Sequence, residues 1–303
     1  MKKINFIYGL LSVFFMTSCY EDYTNDYAYS TVGFAHQKPL RTVIADRDMT
    51  ISVGAAIGGK REVDKNDWAD FSINLELLDK TNLKLLPESY YKLSDDKTFR
   101  VSKSSVAVAD VKIEFTDDFY NDPNSMKQYY ALPLQLESSS LDSILDNKKN
   151  SIVAIKYISA YHGMYYVKGT VTEINSFGEL VGDPVKYINN DLSKNIVRSV
   201  TTVSRNVVCR AGVANNSDDV ASEKVLLTIN DDNTVGVSTA EGGIEIKNGS
   251  GTYKYSYDDV NVVSSMEMDI KYEYTKDGKN YKVEETLIRR QDPYRDLGFE
   301  EWK

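Results

Sequence analysis

The sequence predicts an all-β protein: an N-terminal immunoglobulin-like β-sandwich, then a second β-domain built as a barrel or meander, a lipocalin-like barrel being one form of it. Three observations predict this. Apolar residues recur with period two over short stretches, as with Val111, Ile113 and Phe115 in VAVADVKIEF. Asp-, Asn- and Gly-bearing turns separate those stretches. Tyrosine, at 22 residues against 10 Phe and 2 Trp, is abundant, and its ring with a polar end suits half-buried sheet faces. Only SSSLDSILDNKK could form a helical turn, and it is short.

Taken in order, residues 1–18 form a secretory signal peptide. Lys2 and Lys3 supply the positive start, Ile4 to Phe15 a mostly apolar core, and Thr17 and Ser18 the small residues before the cut. The run is too short for a transmembrane helix, which takes roughly 20 apolar residues. Residues 19–30 are polar and Tyr-rich without a period, a flexible tether. The sandwich occupies 31–159. Its strands include FSINLELL, with Ile73, Leu75 and Leu77 alternating, and YYALPLQLE, with Leu132, Leu134 and Leu136 on one face. SIVAIKYI is a continuous apolar strand.

A boundary falls at Ser159-Ala160, and the β pattern restarts over 160–303. Tyr165, Val167, Gly169 and Val171 alternate, and a hairpin turns at Asp231-Asp232-Asn233. Tyr253, Tyr255 and Tyr257 share one face, as do Met266, Met268, Ile270, Tyr272 and Tyr274. Lys276-Asp277-Gly278-Lys279 is a hairpin turn with Gly for positive φ, and NYKVEETLIRR is the returning partner. The closing QDPYRDLGFEEWK is not strand-like, so Phe299 and Trp302 are expected to fold back and plug an open end.

One cysteine stands at the end of the leader. Met16-Thr17-Ser18-Cys19 resembles a bacterial lipobox, which implies that Cys19 is acylated and holds the protein to the outer membrane. Two or more acyl chains hold stably where one does not. Tyr20, Glu21 and Asp22 follow, and acidic residues at this place resemble the surface-export signal of Bacteroidota lipoproteins, which implies the cell-surface side. Removing Lys2 and Lys3 with the leader takes the formal charge from −9 to −11, which disfavours nucleic acid and anionic lipid surfaces as partners. Cys209 is then the remaining thiol, so an intramolecular disulfide and a cysteine metal cluster are excluded. Its apolar surroundings, RNVVCRAG, predict a buried, inert group.

Two further groups of residues carry a resemblance. Leu86, Pro87, Tyr90 or Tyr91, and Leu93, then Tyr130, Leu132 and Pro133, resemble the N-terminal domain of unknown function of Bacteroidota glycan-utilisation lipoproteins. Tyr161, Gly163, Tyr165, Gly169, Thr170 and the ending from Asp292 to Trp302 resemble its usual C-terminal partner domain. The resemblance runs from about residue 30 onward and rests on packing and turn positions. It implies an accessory surface lipoprotein encoded beside a nutrient-uptake porin, and it brings no catalytic residues.

The search for chemistry is sparse. His36 and His162 are the two histidines, and no zincin, nucleophile-elbow, P-loop or dinucleotide motif is present. A chitinase-like barrel, which the N-terminal domain precedes in some relatives, needs roughly 250 residues of alternating strands and helices, and its D-x-x-D-x-D-x-E signature is absent. No residue is assigned a catalytic or metal-binding role. Calcium is the one ion to weigh, because Asp64, Asn66, Asp67 and Asp70 cluster in DKNDWAD, although the EF-hand glycine and distal glutamate are lacking. Trp68 lies in that polar stretch. It either caps the sandwich or offers an indole on which a sugar ring stacks, with Asp64, Asn66 and Asp67 as hydroxyl partners. Asp142-Ser143-Ile144 resembles a short O-glycosylation acceptor, which would modify Ser143. The leading function is capture of a glycan ligand for an uptake porin complex. The rival is a structural or adhesion lipoprotein that contacts another protein, and the third reading is a small glycosidase.

Replacing Cys19 by Ala is expected to abolish incorporation of a clickable fatty acid in growing cells. Label retained by the alanine variant would remove the anchor.

Overall fold

The structure, a computed structural model, describes residues 29–303 except 48, 61, 103–105, 218–219, 258–262 and 294–296. Cys19, Tyr20, Glu21 and Asp22 lie outside the described residues. Two β-sheets account for nearly all the regular structure, which confirms the all-β class.

The first sheet contains β1 (Thr31–Gly33), β2 (Pro39–Ile44), β3 (Thr50–Gly58), β4 (Trp68–Ile73), β5 (Lys84–Leu85), β6 (Tyr91–Leu93), β7 (Thr98–Val101), β8 (Val108–Phe115), β9 (Tyr130–Ser139), β10 (Ser143–Ile144) and β11 (Asn150–Ile158). Its order is β10-β1-β3-β8-β7-β4-β9-β11-β2, with β5 on β9 and β6 on β8. The sheet folds over at the short β7, so β3 and β8 face β9 and β11 across one core. Inward positions alternate as the sequence predicts: Val111, Ile113 and Phe115 from β8 meet Leu132, Leu134 and Leu136 from β9. One helical turn, α1 (Asp117–Asn121), buries Phe119 and Tyr120 under the end of that core.

The second sheet contains β12 (Gly163–Ile174), β13 (Leu180–Tyr187), β14 (Ile196–Thr202), β15 (Val207–Ala211), β16 (Lys224–Ile229), β17 (Thr234–Thr239), β18 (Ile246–Tyr257), β19 (Val263–Lys276) and β20 (Lys279–Arg289). Strands β14 to β20 run as an antiparallel meander, and β12 pairs with both β14 and β20. That closes an eight-stranded barrel, with β13 as an added edge strand on β12. Met266, Met268, Ile270, Tyr272 and Tyr274 all point inward, and the barrel is filled by side chains. Asp277 and Gly278 both adopt positive φ, 53° and 75°, as a type I′ hairpin between β19 and β20 requires.

Two expectations are corrected. FSINLELL is not one strand. Asn74 accepts a hydrogen bond from the Glu76 amide, and Leu75–Leu78 turns off as a 3₁₀ helix with Leu75 exposed; Ala69 and Phe71 are the inward positions of β4. The ending does not plug the barrel. Glu300 and Glu301 form β21, antiparallel to β2, and Trp302 packs on the outer face of the sandwich with Leu83, Ala131 and Ala154. The Trp302 indole donates to the Ile152 carbonyl at 2.6 Å. Phe299 stays exposed, its ring 4.0 Å from that of His36.

Asp122 ties the loop before β9 to the sheet by accepting from Tyr130 (2.5 Å), Tyr90 (3.1 Å) and the Asn124 amide (2.9 Å). Desolvation acts to raise its carboxyl, but the hydrogen bonds win and hold it below the usual 3.8. A depressed carboxyl stabilises the fold above the unfolded value and loses that contribution as pH falls through the folded one. Asp122→Asn is therefore expected to lower Tm at neutral pH, with the difference from the parent closing only below pH 3.8. A pH-independent difference in thermal melts would assign the loss to packing.

Candidate functional site

A groove of about 710 Å³ lies on the outer surface of the barrel, across β12, β20, β19 and β18. Strand register builds it. Gly169, Glu285, Ile270 and Gly251 are paired in one row across the four strands, and their side-chain positions face the barrel interior. A row on either side faces outward: Lys168, Thr286, Asp269 and Thr252 on one bank, Thr170, Glu284, Lys271 and Ser250 on the other. The valley between them is floored by the backbone of the inward row. Ile188, just beyond β13 and 54% exposed, closes one end.

The two glycines allow the sheet to coil tightly enough to be concave outside. A Cβ on Gly169 would stand 2.4 Å from the Glu284 carbonyl oxygen, and one on Gly251 2.5 Å from that of Asp269. Beneath Gly169 its two register partners, Tyr187 and Glu285, meet at 2.9 Å between phenol and carboxylate. Glu285 is buried and also receives the Tyr272 hydroxyl (3.2 Å) and the guanidinium of fully buried Arg210 (3.1 Å). Arg210 further donates to the carbonyls of Gly212 and Ala214. Burial and the Glu285 charge push both phenols well above their ordinary value, which keeps them as donors. The groove floor is thus anchored from inside.

On its banks the groove offers four hydroxyls, two ammonium groups and two carboxylates. Thr286 donates to Asp269 at 2.7 Å, and Lys282 reaches Glu284 at 3.1 Å. Among the described residues Lys168 and Lys271 enter no ion pair. The groove holds no histidine, and Asp269 and Glu284 are both exposed.

The residues singled out in the sequence lie elsewhere. Trp68 opens β4 opposite Arg100 and is half-buried, outside the sandwich core cluster. Asp64, Asn66 and Asp67 do come together in the preceding turn, but their polar atoms are turned on one another. Asp64 accepts from the Asn66 amide, and buried Asp67 binds Lys60 at 2.6 Å and the Asp64 amide at 2.9 Å. Asp70 accepts from Thr98 and Ser138. Among the described residues no group of three His, Cys, Asp or Glu is placed to hold a metal ion. Ser143 sits half-buried in β10, parallel to β1, beside an Asp142 carboxylate held by Ser30. His162 is engaged by Thr202 at the start of β12. Cys209 is half-buried rather than buried: Arg210 and Val208 take the inward positions of β15, so the thiol faces out. The groove residues carry no sequence motif. The alternation of β12 with a glycine at an inward position was the one available signal.

The comparisons bear on the fold. A family model described as a "-like, N-terminal domain" matches residues 21–143, the half in which the sequence resemblance placed such a domain. No curated protein matches the chain. A Bacteroides ovatus protein of unknown function superposes with a TM-score of 0.71 at 21% identity, covering 91% of this chain and 98% of its own. It shares the fold. A second Bacteroides ovatus protein of unknown function gives 0.44 at 13% identity over 86% of this chain and 94% of its own. An auxiliary nutrient binding protein from Bacteroides thetaiotaomicron gives 0.42 at 15% identity over 87% and 95%.

Gly169→Val is expected to destabilise by about 1–3 kcal/mol, as overpacking of a filled interior does. Urea unfolding measures it. Stability equal to the parent would show that the groove does not depend on that close approach.

Proposed function

We propose that this chain is a non-catalytic glycan-binding protein, held on the outer face of the outer membrane by acylated Cys19 and serving a polysaccharide uptake porin. The observation that carries this reading is the barrel groove. Its hydroxyl and charged banks can exchange hydrogen bonds with sugar hydroxyls, while the strand backbone and Ile188 receive the C–H faces of the rings. Its open, elongated form suits a chain passing through rather than a small molecule enclosed. The groove carboxylates support binding over hydrolysis, since a glycosidase acid needs an environment that favours its protonated form and both carboxylates here stand in solvent.

A second reading has its own observation. Strand β13 is exposed on both faces, with Phe177 (87%), Leu180 (61%) and Val185 (55%) in and around it, which suits contact with another protein.

A glycan array probed with residues 20–303 separates the two. Under the first reading a glycan binds, and Lys271→Ala or Thr170→Val weakens it by about thirtyfold, roughly 2 kcal/mol, without moving the melt. Trp68→Ala leaves binding unchanged. Loss of binding in Trp68→Ala alone, with the melt intact, would transfer the site to the Asp64–Trp68 turn. Absence of any glycan binding would favour the protein-contact reading.

A further inference from the structure

The barrel groove carries both signs of charge, but the two signs are not equally available to a ligand. Its two exposed carboxylates are engaged within the chain. Asp269 accepts from the Thr286 hydroxyl at 2.7 Å, and Glu284 holds the Lys282 ammonium at 3.1 Å. Lys168 and Lys271 are not so engaged: among the described residues neither enters an ion pair, although Glu284 is the register partner of Lys271 on the next strand. Lys168 is half-buried besides, so its ammonium has given up part of its water. Lys186 of β13 extends the pattern. It pairs with Thr170, stands on the same outward bank, and enters no ion pair among the described residues. Three uncommitted ammonium groups therefore border the groove of a chain whose formal charge is −9.

We infer that the groove takes an acidic polysaccharide, a single strand of sugars bearing carboxylate or sulfate groups; this rests on the reading of the groove as a glycan site. Its dimensions narrow the choice of anion. The two banks are rows two residues apart on each strand, which sets them roughly 7 Å apart. An α-helix, about 10–12 Å across, does not enter. Lys168 and Lys271 lie on opposite banks and two strands apart, so their backbone positions are about 12 Å from one another. They meet acidic groups on different sugar units of one strand. The acidic surface around the groove repels a broad anion such as duplex nucleic acid or a membrane, whereas a narrow chain stays between the lysines. Thr170, Ser250 and Thr252 remain for the neutral hydroxyls of that chain.

Calorimetric titration of residues 20–303 tests this with polygalacturonate and alginate as carboxylate probes, and dextran sulfate and chondroitin sulfate as sulfate probes. Neutral dextran, desulfated chondroitin and oligo(dT) are the comparisons. At least one acidic glycan is expected to bind, and which pair it belongs to identifies the acidic group. Its affinity is expected to fall as salt is raised. Lys168→Met and Lys271→Met keep the apolar stem and remove the charge, and each is expected to weaken binding by at least about tenfold with the melt unmoved. Lys112→Met, an exposed change on β8 of the sandwich, is expected to have no effect. Equal binding by both groove variants, or equal binding of oligo(dT), would overturn the inference. So would binding of none of the four acidic probes. In that event a neutral glycan whose binding Thr170→Val weakens would leave the groove reading standing, and absence of any glycan binding would remove both.

Discussion

The barrel is organised around a buried ion pair. Arg210 and Glu285 are both withdrawn from water, and such a pair holds only if its remaining hydrogen-bonding capacity is met. Tyr187, Tyr272 and the carbonyls of Gly212 and Ala214 supply partners, so that with Glu285 itself the network draws in four separate stretches of chain. Tyr272 in turn accepts from the Ala214 amide. The Tyr187–Glu285 contact lies beneath Gly169, where the Glu284 carbonyl and the Cα and Cβ of Glu285 leave no room for a side chain. The absence of that side chain lets β12 approach β20 closely, and the approach makes the outer surface concave. The groove is thus an external expression of the close approach of β12 and β20 above the buried pair.

The two sheets are joined by charge and by covalent return. Arg205, in the β14–β15 turn, reaches Asp46 at 2.5 Å and Asp117 at 2.7 Å, and lies 5.2 Å from the Tyr120 ring. Arg47 reaches Asp292 at 2.6 Å. Exposed pairs of this kind are worth little one by one, so orientation is their main contribution. Trp302 contributes more, because it is nearly fully buried and removes apolar surface of β9 and β11 from water.

Much of the fold was legible because period two is a strong signal wherever one face is solvated. Met266 to Tyr274 and Val111 to Phe115 are such cases, and the Asp277-Gly278 turn names its own geometry. FSINLELL failed because Asn74, a capping residue, competes locally with the strand. The tail failed for a different reason. YALPLQL and SIVAIKYI are apolar on both faces, which states that something covers the second face, but no local pattern says that it is Trp302 from 150 residues further on. The groove was invisible for the same reason of range. Its banks are ordinary outward Thr, Ser, Lys, Asp and Glu, and only cross-strand register assembles them.

Strand β21 sets an order of events for a chain made from its N-terminus. Residues 31–158 emerge first, from the ribosome or from an export channel, and can collapse around their core, yet Pro39 and Leu40 of β2 lack their outer neighbour and Leu83, Ala131 and Ala154 lack their cover. Both arrive only after the whole barrel has been synthesised. Throughout that interval the nascent sandwich presents an open β edge beside an apolar patch, the combination that pairs most readily with a neighbouring chain. Glu300 to Trp302 therefore act as a late-delivered cover for a surface laid down far earlier in the chain.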